Sequence, residues 1–218
     1  LVSSGAIAVG RNKLNMTSKP DSMRMKQAAA AVGQCSLMYL YDKFFGDYDK
    51  TVAQILLNAE DIEQEEKKEN LINTFNALLE MGVIPIVNEN DSVSYKEIES
   101  EDRLFGDNDM LSAVVAVLCR ARHLVILSDI DGFYDHDPRL YPNAKLIEQI
   151  DTIDDSVYAL AGGAGSRRGT GGMRTKLQAA ALATSQGTDT IVTNGKHPEA
   201  LYDIVKGLHA GTLFPGKI

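Results

Sequence analysis

Residues 169–176, GTGGMRTK, place three glycines, two threonines and two cations at the entrance to an apolar helical run. Glycine lets backbone approach an anion closely, the free N–H groups of a first helical turn point at it, and a lysine adds a point charge. Phosphate binding is the chemistry this segment can do. A flexible linker capped by Thr175 is the plainer alternative. Extended backwards, the segment reads GSRRGTGGMRTK, four cations in twelve residues of a chain whose net charge is −8, and that local excess favours phosphate. It is not a Walker A loop, because the GxxxxGK[ST] spacing is absent and no apolar strand feeds directly into it.

Other polar bursts sit at element ends. VNENDSV (residues 87–93) delivers Asn88, Glu89, Asn90 and Asp91 straight from an apolar run, more than a turn needs. Amides beside carboxylates suit a zwitterion, whose ammonium takes a carboxylate and whose carboxylate takes N–H donors. GDNDMLSA (106–113) puts Asp107, Asn108 and Asp109 at a helix start, where Asp and Asn serve equally as N-caps or as ligands. LVSSGA (1–6) runs from strand to helix through hydroxyls and backbone donors. It lacks the G-x-S-x-G frame of a hydrolase nucleophile. LSDIDGFYDHDP (127–138) is turn-rich, with Ser128 and Asp129 at a strand end. The four histidines show no metal-ligand spacing, so no structural metal is expected.

Four nearly continuous apolar runs position these bursts: 51–57, 83–88, 123–129 and 188–195 read as strands buried on both faces. Helical periodicity fills 23–45, 61–81, 107–120, 175–186 and 198–206 between them. The 61–81 helix begins with acids and ends at Gly82, and its EQEEKKE run reads as a solvated face. Alternating strands and helices predict an α/β sandwich with a mainly parallel central sheet, whose ligands gather beyond the strands' carboxyl ends. Residues 90–106 are the most irregular stretch and a candidate cover for the site. An acidic chain lacks the cationic face that nucleic acid or an anionic membrane needs. No run reaches the about 18 apolar residues of a membrane span and no signal peptide opens the chain, so a cytoplasmic protein is expected. Cys35 and Cys119 lie in apolar stretches far apart, which predicts two reduced, buried small side chains. The first residues read as the end of a buried strand, so a strand–helix unit is expected upstream of Leu1.

In order along the chain, SSGAIAVG, AAVGQ, VIPIVNENDSV, GDNDxLSA, ILSDIDGFYDHDP, GTGGMRTKLQAA and GTLF resemble the amino acid kinase family, in its branch that phosphorylates glutamate. The likeness runs through essentially all of the chain. It implies a three-layer αβα sandwich spanning residues 1–218 as one kinase domain. The implied reaction is ATP plus L-glutamate giving γ-glutamyl phosphate and ADP, the first step of proline synthesis, with Mg²⁺, feedback inhibition by proline and a homo-oligomeric state. By motif, it assigns Ser4, Asp91 and Asn108 to glutamate, with Asp91 on the ammonium. Asp109 organises catalytic lysines. Ser128 and Asp129 bind nucleotide, as do Thr170, Gly171, Gly172, Met173, Arg174, Thr175 and Lys176, and Lys176 also stabilises the transferring phosphoryl group. Two departures stand out. The family's K-x-G-[ST] strand, with a further phosphate-contacting lysine, is not in this sequence, so this polypeptide alone is expected to be weak or inactive. The C-terminal PUA domain of many relatives is also not in it. Rival readings are another member acting on N-acetylglutamate or aspartate, and a non-catalytic amino acid or nucleotide sensor.

Overall fold

A computed structural model describes residues 1–93, 108–161 and 170–217, with the side chains of Thr170 and Gly171 left aside. Its chain divides into two compact units, Leu1–Leu111 and Ser112–Ile218.

In the first unit the opening residues are extended, as their apolar character predicts. Val2 bridges Val87 in parallel, Ser3 N–H donates to the Val87 carbonyl at 2.8 Å, and Val87 N–H donates to the Leu1 carbonyl at 2.8 Å. The chain then turns through Gly5, whose φ of +86° is the left-handed conformation that glycine adopts without a Cβ penalty, into α1 (Ala6–Lys13). Helix α2 (Met23–Gly46) crosses α1 backbone to backbone: a Cβ on Gly33 would stand 1.8 Å from the Ala6 carbonyl oxygen. Strands β1 (Val52–Leu57) and β2 (Ile84–Glu89) pair in parallel from Val52↔Ile84 to Leu57↔Glu89. Because β2 lies between β1 and the opening residues, its middle four positions are buried.

The helix expected over 61–81 is two: α3 (Ala59–Glu63) and α4 (Glu65–Glu80), parted at Gln64, whose backbone is extended. Asp61 is the physical reason. Its carboxylate accepts the Asn58 N–H at 2.8 Å and so caps a helix that starts earlier, while Glu65 and Glu66 favour a fresh N-terminus beyond Gln64. Gly82, at φ +71°, ends α4 as its sequence predicts.

The chain enters the second unit within α5 (Asn108–Leu118). Strands β3 (His123–Ser128) and β4 (Asp189–Asn194) are parallel, in register from His123↔Asp189 to Ser128↔Asn194. Two elements absent from the sequence reading complete the unit. They are α6 (Asp155–Ala161) and β5 (Thr212–Phe214), the latter antiparallel to β4. Helix α7 (Thr170–Ser185) begins five residues before the predicted start, taking GTGGMRTK from Thr170 onward into its first turns, and α8 (Ala200–Val205) follows β4. Phe133, Leu177, Ala180, Ala183, Val192 and Phe214 pack the core and are at most 1% exposed. The α/β architecture with parallel strands is therefore as the alternation predicts.

The cysteines differ from expectation. Both are free thiols, but Cys35 is exposed and Cys119 only half-buried. Cys35 sits on the open side of α2, where helical neighbours do not imply burial; burial raises the Cys119 thiol pKa above its ordinary value. No described helix is long and apolar enough to cross a membrane.

Candidate functional site

The first unit holds two adjoining cavities that share Ala6 and Asp91. One, of about 440 Å³, is walled by Gly5 to Ala8 at the start of α1, by Arg11, Lys19 and Lys26, and by Asp91 and Asn108. The other, of about 420 Å³, is walled by Ala30, Ala31, Gln34, Cys35 and Met38 of α2, by Gln54 and Leu56 of β1, and by Glu89 to Ser92. Both open where β2 ends, as the strand-end rule predicts.

Sequence logic explains how these groups converge. Strand β2 is buried up to Asn88 and delivers its polar burst at its carboxyl end. That burst divides by role. Asn88 is 2% exposed and structural: its Nδ2 donates to Gln34 Oε1 at 3.0 Å, and its Oδ1 accepts the Glu89 N–H at 3.0 Å. Asn90 shapes the turn, its N–H donating to the Leu57 carbonyl at 2.9 Å and its Oδ1 accepting from Ser92 Oγ at 2.7 Å. Asp91 is half-buried on the wall common to both cavities, and burial raises its carboxyl pKa above the ordinary value. An ionised carboxylate there is short of solvation, a condition that a ligand ammonium relieves.

Asn108 lies in the first turn of α5, and its buried Oδ1 has no hydrogen-bond partner among the described residues. Of the two readings open for this residue, capping does not occur: a capping side chain accepts a backbone N–H, and this one accepts none. Arg11 Nε is likewise buried and unpartnered among the described residues. Asp109 is beside Asn108 in the same turn, half-buried and partnered. Ser4 is exposed immediately before Gly5, whereas its neighbour Ser3 is the buried hydroxyl, 3.0 Å from Tyr41 Oη. The cavity thus brings together Asp91 and Asn108, with Ser4 adjoining its Gly5 wall.

Sequence reasoning missed Arg11, Lys19 and Lys26. A signal was there: residues 10–26, GRNKLNMTSKPDSMRMK, hold five cations and one acid in an acidic chain.

The second unit carries the nucleotide candidates at its own strand ends. Ser128 closes β3 in register with Asn194, and Gly195 N–H donates to the Ser128 carbonyl at 2.8 Å. Asp129 is exposed, its Oδ2 3.5 Å from Arg139 Nη2. Beside it the sequence reading passed over Asp131, which accepts from Asn194 Nδ2 at 2.8 Å and from Tyr134 Oη at 3.0 Å. The Asn194 hydrogen bond, followed by that from Tyr134, holds the Asp131 carboxyl below its ordinary pKa. Gly172, Met173, Arg174, Thr175 and Lys176 occupy the first two turns of α7, where Thr175 Oγ1 donates back to the Gly172 carbonyl at 3.0 Å. A Cβ on Gly172 would meet none of the described residues within 4 Å. Lys176 follows in the second turn, half-buried and partnered. Asp107 and Gly169, and most of the 90–106 stretch, lie outside the described residues.

A model of the amino acid kinase family matches residues 1–194. The chain is 55% identical over 217 residues to a protein named glutamate 5-kinase from Clostridium perfringens, covering all of this chain and 80% of that one. It is 49% identical over 217 residues to one of the same name from Listeria innocua, covering 78% of it. Among solved structures, carbamate kinase from Giardia lamblia bound to AMP-PNP aligns over 99% of this chain and 84% of its own, with TM-score 0.62 and 16% identity. Isopentenyl phosphate kinase from T. acidophilum aligns over 94% and 78%, with TM-score 0.58 and 19% identity. At those identities the two structures speak for the fold alone.

Proposed function

The chain belongs to the amino acid kinase family, and on that premise we propose that it transfers the γ-phosphoryl group of ATP to the γ-carboxylate of L-glutamate, giving γ-glutamyl phosphate and ADP, the first step of proline synthesis. The observation that carries the acceptor assignment is the 440 Å³ cavity, where Asp91 and Asn108, whose Oδ1 has no partner among the described residues, share a wall with Arg11, Lys19 and Lys26. One anion and one open acceptor match an ammonium, and three cations match carboxylate charge. A free ammonium is what a desolvated Asp91 selects, which speaks against an N-acetylated acceptor. The likeness of all of this chain to about four-fifths of the two bacterial glutamate 5-kinases supports the same substrate.

The mechanism follows from charge. The γ-carboxylate is already ionised near neutral pH and needs no general base to act as nucleophile. Relief of repulsion between two anions is the difficulty, and positioning with fixed charge is the remedy. In this reading Asp91 holds the ammonium, Asn108 and the Ser4–Gly5 turn orient the acceptor, and the cavity's cations balance the carboxylate that reacts. Ser128 and Asp129 bind the nucleotide at the end of β3. The segment from Thr170 to Lys176 turns the N–H groups of the α7 N-terminus toward phosphate, and Lys176 meets the charge on the transferring group. Asp109 fixes lysine orientation and takes no proton. Mg²⁺, when bound with the nucleotide, neutralises phosphate charge. We further assign residues 1–218 to one kinase domain of a cytoplasmic homo-oligomer inhibited by proline.

The test is a hydroxylamine trap for acyl phosphate on the full-length gene product, with ATP, Mg²⁺ and, in parallel, L-glutamate, aspartate, N-acetylglutamate or no acceptor. Hydroxamate with glutamate alone is expected. ATP binding without hydroxamate from any acceptor refutes the kinase reading.

A further inference from the structure

Gln34 has a role that the acceptor cavity leaves unexplained. It is 8% exposed, sits on α2 and lines the second, 420 Å³ cavity beside Asp91. Its amide orientation is fixed from a distance. The Glu89 N–H occupies Asn88 Oδ1, so Asn88 Nδ2 must be the donor to Gln34, and Gln34 Oε1 must be the acceptor. Gln34 Nε2 is thereby left as a buried donor with no partner among the described residues. Buried amide hydrogens in native proteins are nearly always matched, and one that is not, on the wall of a cavity, is waiting for an acceptor.

Asp91 lies on the wall common to both cavities, so a ligand ammonium held there pins the attached Cα at their junction. From that Cα the α-carboxylate is one bond away and the γ-carboxylate three. The cations Arg11, Lys19 and Lys26 all line the other cavity, where charge must be balanced around the carboxylate that reacts. No cation lines the 420 Å³ side among the described residues, and of its polar groups, Gln34, Gln54, Glu89, Asn90, Asp91 and Ser92, Gln34 alone carries a buried donor without a partner among them.

We propose that Gln34 Nε2 donates its spare hydrogen to the α-carboxylate of the amino acid acceptor, making Gln34 the residue that distinguishes a free α-carboxylate from a blocked one. This rests on the glutamate reading above. Asn88 is then a positioning residue, because it dictates which face of the Gln34 amide is presented.

The experiment compares L-glutamate with its α-amide, which keeps the γ-carboxylate, in the hydroxylamine trap on the full-length protein and on Gln34→Glu and Gln34→Met. Gln34→Glu keeps the shape and replaces the donor with an anion; Gln34→Met keeps the length and removes the donor. Wild type is expected to prefer glutamate to the α-amide. Both variants should lose about tenfold or more in kcat/KM for glutamate, with KM for ATP within about twofold. The preference for glutamate should shrink about tenfold in Gln34→Met and most in Gln34→Glu, whose carboxylate accepts an N–H from the α-amide. A merely loosened cavity lowers both acceptors by one factor; an unchanged preference therefore overturns the role of Gln34 while leaving the kinase reading intact. Wild type that makes no glutamate-dependent hydroxamate removes the kinase reading, and this inference with it. A variant-free readout covers poor folding: the Gln34 side-chain amide protons should move downfield in a ¹⁵N spectrum when wild type is saturated with glutamate, and no movement overturns the proposal.

Discussion

Replacing Gly33 with alanine tests whether the contact of α1 with α2 sets the acceptor cavity. A Cβ at this position would stand 1.8 Å from the Ala6 carbonyl oxygen, 2.6 Å from Gly10 N and 2.7 Å from the Ala6 carbonyl carbon. All three are backbone atoms with no rotamer to yield, so the helices must part. Real Cβ contacts essentially never fall below 3.0 Å, which asks α1 to retreat by about 1.2 Å. Overpacking of this kind costs about 1–3 kcal/mol of stability. A functional cost comes in addition, because Gly5, Ala6 and Arg11 of the cavity wall ride on the displaced segment. A misplacement of about 1 Å can cost about a hundredfold in rate. Gly33→Ala is therefore expected to lower kcat/KM for glutamate about a hundredfold in the hydroxamate assay. Nucleotide affinity, measured by calorimetry, should stay within about threefold, since its candidate residues belong to the second unit. Gly46→Ala is the control: nothing lies within 4 Å of its Cβ, and its activity should match wild type. A folded Gly33→Ala enzyme with kcat/KM within about threefold of wild type refutes the reasoning.

Three further outcomes are expected. Burial puts the Asp91 pKa above 3.8, so falling pH protonates it before an ordinary aspartate and removes the partner of the ammonium. Glutamate kcat/KM should then drop on the acid side, and Asp91→Asn should raise KM about tenfold or more and move that limb down to the pH at which the substrate's own γ-carboxylate is protonated; an acid limb that does not move in the variant counts against the assignment. The stability sign is opposite, because a raised carboxyl pKa means the folded chain gains stability as pH falls through it. Lys176→Met should lower kcat about 10²- to 10³-fold while KM for glutamate stays within about threefold, and a kcat loss under about tenfold would remove Lys176 from the phosphoryl group. Thr212, fully buried, accepts the Phe133 N–H at 2.7 Å and donates to the Ile147 carbonyl at 2.6 Å. Thr212→Val strands both groups and should cost about 2–4 kcal/mol in urea unfolding; a loss below about 0.5 kcal/mol contradicts that accounting.

Much of this protein was legible as sequence. Continuous apolar runs located all four long strands to within a residue or so, because burial on both faces leaves no polar position to blur the signal. Their carboxyl ends then pointed to Asp91, Ser128 and Asp129, and composition pointed to Thr170–Lys176. Short elements escaped for lack of period: three residues of β5 carry no alternation, and its pairing with β4 exists only once the chain has folded back. The break at Gln64 escaped because a capping carboxylate at Asp61 overrode a helical pattern that continues past it.

Sequence by itself therefore determined the α/β class and the positions of the long strands, both of which follow from local periodicity. Tertiary structure alone decided which distant groups meet. Arg11, Lys19 and Lys26 share a cavity with Asp91, which lies 65 to 80 positions along the chain, Asn108 keeps a buried Oδ1 without a partner among the described residues, and Asn88 turns the Gln34 amide from 54 residues away. The physical reason is that a side chain's partners depend on close packing of α1 against α2 and on parallel strand register, neither of which any local run of residues encodes.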